Sequence, residues 1–215
     1  EVSGERELLR RCRNKSVSLY APARYALPQP VRCELPPVVI GAGPAGLFAA
    51  LVLASCGMRP ILLERGAPVE QRQKDVETFF RSGILNTECN VQFGEGGAGA
   101  FSDGKLNTGT HDGRIAFVLE QFHRFGAPES VCYDAKPHIG TDVLAEVVRN
   151  IREDVIAHGG EVRFFTRFER PLEENGVLVG AEISDADGRH ILLFLPTVSV
   201  PWGATIPRDR RPLSI

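Results

Sequence analysis

Apolar residues change their spacing several times along this chain, and each change marks a different kind of element. Val38–Ile40 is a short unbroken apolar run between Pro36–Pro37 and a glycine, the pattern of a buried strand, and residues 60–63 repeat it. Between these runs the segment Leu47–Ala54 is apolar all round, which fits a helix covered by a sheet, and Gly57 ends it. Residues 69–80 read as a helix with Val69, Val76, Phe79 and Phe80 as its apolar positions. Ile115, Val118, Leu119, Phe122 and Phe125 form a second helical stripe, closed by Gly126, with a short helical turn from Pro128. The strongest helix follows. Val143, Leu144, Val147, Val148, Ile151, Val155 and Ile156 share one face, Thr141 is placed to cap it, Asp142 suits its first turn, and Gly159–Gly160 stop it.

The turn between the first strand and its helix carries the most specific local chemistry. It reads Gly41-Ala42-Gly43-Pro44-Ala45-Gly46. Gly41 permits a tight turn, Gly43 lets backbone approach a diphosphate without an intervening side chain, and Gly46 lets helix and strand pack closely. Pro44 suits a first helical position, and the amides that remain, together with the partial positive charge of the helix end, favour a dinucleotide. Glu64 ends the second strand eighteen positions after Gly46, where a carboxylate accepts hydrogen bonds from both ribose hydroxyls of an adenosine. Such an acid repels a ribose phosphate. NADP is therefore disfavoured, although Arg65 beside it leaves that nucleotide open.

Three extended runs close the readable chain: 161–168, 177–184 and 190–195, separated by Glu-Glu-Asn-Gly at 173–176 and Asp-Ala-Asp-Gly at 185–188. The first is expected to return to the parallel sheet beside the Glu64 strand and the rest to form an antiparallel meander. The fold class is thus α/β, a Rossmann-like FAD/NAD(P)-binding domain with a parallel sheet and an antiparallel β-meander. Residues 1–36 are expected to be a linker-like remnant with a helix at 5–12 and a proline-rich approach, 37–196 the binding domain, and 197–215 a divergent tail.

Composition narrows the function classes. The chain has 215 residues, 43% hydrophobic and 24% charged, with a net charge of −2. That is globular, and it lacks the strong positive charge a nucleic-acid partner would call for. The five cysteines, Cys12, Cys33, Cys56, Cys89 and Cys132, are odd in number and never in a Cys-x-x-Cys pair, so any redox role falls to a cofactor rather than a local dithiol. They read as free thiols of a cytoplasmic protein, and no apolar stretch is long enough to predict a membrane span. The histidines show no metal-ligand spacing, so no metal is expected.

Residues 90–108 form a second glycine-rich loop, with Gly94, Gly96, Gly97, Gly99 and Gly104 anchored by Val91, Phe93, Phe101 and Leu106. Backbone that lies flat against a planar ligand needs such glycines. This loop, the cradle at 38–66, and Tyr133-Asp134-Ala135-Lys136-Pro137-His138-Ile139-Gly140-Thr141-Asp142 with its helix resemble the bacterial FAD-dependent dehydrogenases of the NAD(P)/FAD-dependent oxidoreductase superfamily. The resemblance covers about residues 37–185. It implies FAD as cofactor, with Gly41, Gly43, Gly46 and Glu64 on the adenosine diphosphate half; Ala42, Pro44, Ala45, Arg65, Arg72, Gly96, Gly97, Gly99 and Ser102 are further cofactor-binding candidates. Family members continue beyond this length, whereas the stretch from Pro196 to Ile215 departs from their pattern, and truncation or a shifted reading frame is the expectation.

Two residues are candidates for catalysis. Lys105 offers a cation to a reduced flavin ring, or is a solvated loop lysine; His138 offers proton transfer, or bonds backbone near a helix start. Ser102 and Asp103 are candidates to orient Lys105 or bond the ribityl chain. Arg72 either reaches a phosphate or is a plain surface residue. Two functions follow: an FAD-dependent oxidoreductase passing hydride between a reduced nicotinamide, NAD(P)H, or an organic donor and an unidentified acceptor, or a non-catalytic nucleotide-binding remnant; an NAD-only dehydrogenase is a weaker third. Oligomeric state is left open.

Overall fold

Two three-stranded sheets organise the described residues, one parallel and one antiparallel. The computed structural model describes residues 4–12, 14, 16–19, 25–29, 35–106 and 108–194; the expected tail at 197–215 and much of the proline-rich approach lie outside them. A short helix, α1 (Glu5–Arg11), buries nothing; its glutamates lie in the first turn and its arginines in the last, matching the helix dipole.

The parallel sheet contains β1 (Val38–Ile40), β2 (Ile61–Leu63) and β3 (Glu161–Arg163) in that spatial order, with Val39 opposite Leu62 and Leu62 opposite Val162. Helix α2 (Pro44–Ser55) connects β1 to β2, and α3 (Val69–Ser82), α4 (Arg114–Arg124) and α5 (Thr141–Ala157) lie between β2 and β3. The core is where α2 meets α5: Leu47, Ala50, Leu51 and Ala54 bury against Val147, Val148, Ile151 and Val155, with Leu62 beneath them. Each such side chain contributes roughly 1.5–3 kcal/mol on leaving water, so this contact fixes the sheet–helix layer.

Several boundaries differ from the sequence reading for local reasons. Ile40 is 54% exposed rather than buried, because β1 is an edge strand and Ile40 opens onto a cavity. Thr141 is the first helical residue of α5, not its cap; Gly140 occupies the cap, and Asp142 Oδ1 lies 2.6 Å from where a Gly140 Cβ would stand. The run 161–168 is broken by Phe165 at φ +53°, so it supplies β3 and then starts β4 (Arg167–Glu174) of the second sheet. Strand β4 continues through Glu174, and the turn to β5 (Val177–Ser184) is the two-residue Asn175–Gly176, both at positive φ. The third strand, β6 (His190–Phe194), pairs antiparallel with β5.

Cys12, Cys56, Cys89 and Cys132 are free thiols, and Cys33 lies outside the described residues. Among the described residues, no helix is long and apolar enough to cross a membrane.

Candidate functional site

The first glycine turn is closed by its own backbone. Gly41 takes φ +89° and donates its N–H to Leu63 O at 2.7 Å, tying the turn to the neighbouring strand. A Cβ on Gly46 would stand 1.8 Å from Gly41 O, so only glycine lets α2 start this close to the turn. Gly43 faces open space. The N–H groups of Gly43, Ala45 and Gly46 have no acceptor among the described residues, and Pro44 sits at the first helical position. Ala42 differs from its neighbours. Its N–H goes to Glu64 Oε2 at 2.8 Å and its carbonyl accepts from Gly96 N at 2.8 Å, so its peptide groups serve the protein and not a ligand.

Glu64 is 5% exposed and accepts three backbone N–H groups: Ala42 at 2.8 Å, Gly66 at 2.8 Å and Gly94 at 3.1 Å. A carboxylate offers about four lone-pair sites, which leaves room for one further donor rather than both hydroxyls of a ribose. The same side chain lines a cavity of about 340 Å³ with Gly41, Gly43, Arg65, Thr166 and Phe168. Arg65 is engaged there already, bonded to Glu88 at 2.8 Å and stacked 4.2 Å over the Phe93 ring.

The second glycine loop is held by buried charge. Arg72 is fully buried, contrary to its reading as a surface or phosphate-seeking residue. Its guanidinium donates to four backbone carbonyls, those of Asn90, Val91, Glu95 and Gly97, at 2.7 to 2.9 Å, and lies 4.6 Å over Phe101. With those donors committed, it organises the loop. Gly94 makes this passage possible: a Cβ there would stand 2.5 Å from Arg72 Cδ.

Glu95, absent from the sequence reading, is fully buried as well. It accepts the Val69 N–H at the start of α3 at 2.8 Å and pairs with Arg152 at 2.7 Å, while Arg152 also holds Glu70 at 2.7 Å. Burial pushes the Glu95 carboxyl up to about 7, against the pull of the Val69 amide and of Arg152. The Arg152 bond holds Glu70 below the usual carboxylate range instead. Glu95 Oε1 has no partner among the described residues.

On the other side of the α2 amino end lies an apolar cavity of about 480 Å³. Pro44 and Ala45, Gly96 and Gly99, and Ser102 and Lys105 form its polar and backbone margin, and Phe48, Leu106, Val118, Phe122 and Val148 contribute to its wall. Gly97 lines the smaller cavity, and a Cβ on it would stand 3.0 Å from Pro44 Cδ, so the second loop crosses the first turn between the two cavities. Ser102 spends its hydroxyl on Gly99 O at 2.9 Å. Asp103 is the residue that fixes Lys105, through a 2.7 Å ion pair that raises the lysine and lowers the aspartate from their usual ranges.

Lys105 and His138, read separately from the sequence, are brought together. They face one another across an antiparallel bridge flanked by Leu106 N to Pro137 O at 3.0 Å and Ile139 N to Gly104 O at 2.9 Å. A Cβ on Gly104 would meet Ile139 O at 1.9 Å, so glycine is what allows this pairing. His138 is exposed, and its ring bonds none of the described residues. No group of three His, Cys, Asp or Glu side chains among the described residues is placed to hold a metal.

Residues 34–97 match the family model described as FAD binding domain. The turn at Gly41–Gly46 lies inside the matched stretch. A Clostridium beijerinckii protein is 54% identical over 142 residues, 66% of this chain and 27% of that protein, so the chain spans about a quarter of the curated relative it matches. Thermovibrio ammonificans THI4 aligns with a TM-score of 0.45 at 16% identity, over 74% of this chain and 54% of its own. The FAD-dependent myxobacterial chondrochloren halogenase CndH aligns at 0.39 and 17% identity, over 74% and 35%.

The surroundings of this turn are of the kind FAD would need on three structural counts. Open amides stand at the amino end of α2, a carboxylate-lined cavity lies on one side, and a larger apolar cavity lies on the other. A nucleoside at one end, a diphosphate in the middle and a flat ring at the other require that sequence of surroundings. Arg72, Glu95 and Arg152 support the cradle without lining it. No local signal in the sequence marks them, since Arg152 meets Glu95 and Glu70 across 57 and 82 positions.

Proposed function

We propose that this chain is the FAD-binding part of a flavin-dependent oxidoreductase that passes hydride between a reduced nicotinamide and a small organic molecule. The observation that carries the reading is the meeting of two unlike cavities at the amino end of α2, inside a stretch matched to FAD binding domains. Bound flavin supplies the redox chemistry by accepting and releasing hydride at its ring. The N–H groups of Gly43, Ala45 and Gly46 bind the diphosphate, and Glu64 takes one ribose hydroxyl with its remaining lone pair. Arg65 walls the adenosine cavity; with its charge answered by Glu88, it offers little to a 2′-phosphate.

Lys105 holds a positive charge at the margin of the apolar cavity, oriented by Asp103, where it offsets negative charge on a reduced ring. His138, next to it and unbonded, exchanges a proton with the substrate. The apolar walls exclude water from the ring face. We place the protein in the cytoplasm, on the strength of the four cysteines among the described residues, which are unpaired.

The test is spectroscopic. Purified protein should carry one FAD per chain, with visible flavin absorbance that bleaches anaerobically under NADH or NADPH. Protein that is colourless and takes up no FAD would overturn the cofactor assignment, and flavin that never bleaches would support the non-catalytic remnant.

A further inference from the structure

Helix α4 has a well-formed apolar stripe, yet none of its residues is fully buried. Phe122 packs edge-on against Phe48 of α2 at 5.4 Å, and Phe117 meets Tyr25 at 5.0 Å, so the helix is anchored on two sides. Ile115, Val118 and Leu119 are half-buried and line cavities among the described residues. Val118 and Phe122, with Leu106 opposite, line the 480 Å³ cavity described above and also a second cavity of about 370 Å³. The second continues along α4 past Leu119 and Ile115 to Thr108, Thr110, Asp112 and Arg114.

We propose that the two adjoining cavities form one channel, and that its outer half binds an elongated, mostly apolar, uncharged organic substrate beside the flavin ring. This rests on the FAD reading, which assigns the inner cavity to the ring. Each cavity falls within the roughly 300–1,000 Å³ that small-molecule sites span. Apolar walls select an apolar body. The charges at the outer end are already answered: Arg114 makes a two-pronged bond with Asp112 at 2.6 and 2.9 Å. The Thr108 and Thr110 hydroxyls, 2.9 Å apart, are the neutral groups left to meet a hydroxyl or carbonyl on the ligand. Continuity with the cofactor cavity is what favours a ligand over a protein segment as the occupant: a protein segment lying on this face would sit across the mouth of the ring site.

The uncharged probe N-phenyl-1-naphthylamine tests this on the FAD-loaded full chain. Titration should give a saturable, one-to-one perturbation of the bound flavin's visible band. Leu119→Trp, which fills the outer cavity, should weaken it ten-fold or more while FAD occupancy is retained, and Ile115→Asp, a second route to the same loss, should do likewise. The sulfonated analogue 1-anilinonaphthalene-8-sulfonate should bind at least ten-fold more weakly. A holoprotein indifferent to the neutral probe, variants that both bind it like the parent, or a sulfonate that binds as well as the neutral form would each overturn the channel. Failure of the parent to hold FAD would instead overturn the cofactor reading on which the channel rests.

Discussion

The two glycine-rich turns that meet at the start of α2 are built by opposite means. The Gly41–Gly46 turn is strand, turn and helix in immediate succession, closed by Gly41 to Leu63 O and by the absence of a side chain at Gly46. The loop around Gly94–Gly104 has no regular element to hold it beyond one short 3-10 turn at 98–101. It is held by three side chains delivered from elsewhere: buried Glu64 from the end of β2, buried Arg72 from α3, and partly buried Arg152 from α5, the last acting through Glu95. The first turn owes its shape to backbone sterics and the second to electrostatics in a dry interior. Damage to the two should therefore differ in size and in pH dependence.

The largest break in that contrast is expected at Arg72. Methionine there would strip a donor from all four loop carbonyls and leave those of Asn90, Val91 and Glu95 with none among the described residues, whereas Gly97 O keeps the Ala100 N–H; each unsatisfied buried group costs on the order of 1–3 kcal/mol. Some will find water, so Arg72→Met should lower unfolding stability by about 3 to 5 kcal/mol in urea titrations. Arg72→Lys keeps the charge but not the planar fork, and should recover only part of the loss. A methionine variant within 1 kcal/mol of the parent, on the scale of ordinary substitutions, would remove the claim that this guanidinium builds the loop.

Glu64 is the one side chain that both turns share, so its removal should damage both. Glu64→Ala strips acceptors from the Ala42, Gly66 and Gly94 amides and should cost about 2 to 4 kcal/mol of stability. FAD should bind more weakly as well. If the variant loses cofactor but keeps parental stability, the carboxylate faces the ligand more than the loops.

Glycines at the first turn separate packing from ligand approach. Gly46→Ala gains about 1 kcal/mol of helix propensity but drives a Cβ into Gly41 O, which backbone cannot easily yield; a net loss of about 1 to 3 kcal/mol is expected. Gly43→Ala meets no protein atom within 4 Å, so thermal unfolding without FAD should barely move while FAD affinity falls. Equal thermal shifts for both variants would mean that the two glycines do the same job.

This contrast also explains what the sequence makes legible. The strands, the α2 and α5 stripes and the Asn175–Gly176 turn depend on neighbours a few positions away, and spacing reveals them. The cradle is legible for the same reason. Arg72 finds its four carbonyls 18 to 25 positions downstream, and Glu64 reaches Gly94 across 30. Nothing in the local pattern distinguishes such a residue from a solvated one, so Arg72 reads as surface and Glu95 goes unnoticed. Lys105 and His138 were separately legible as chemistry, but their adjacency depends on a bridge that only Gly104 permits.

The smallest effect expected is the most diagnostic of the electrostatic loop. Burial raises Glu95 from an ordinary carboxylate value of 4.5 to about 7, so the folded protein holds a proton that the unfolded chain has released between those values. Stability falls with rising pH wherever the folded state binds more protons. The contribution is therefore complete below about pH 4.5 and lost as pH climbs through about 7. Roughly 1 to 2 kcal/mol is expected across that window rather than the full shift, because the folded protein relaxes and admits water around a buried charge. Glu95→Gln cannot ionise and should lack this slope. Measured as unfolding free energy at successive pH values, the parent should lose ground to the glutamine variant from about pH 4.5 to 7 and then run parallel to it. A difference that stays flat, or that grows in the parent's favour with pH, would mean that the Arg152 pair keeps Glu95 ionised throughout and that the second loop carries a fixed charge.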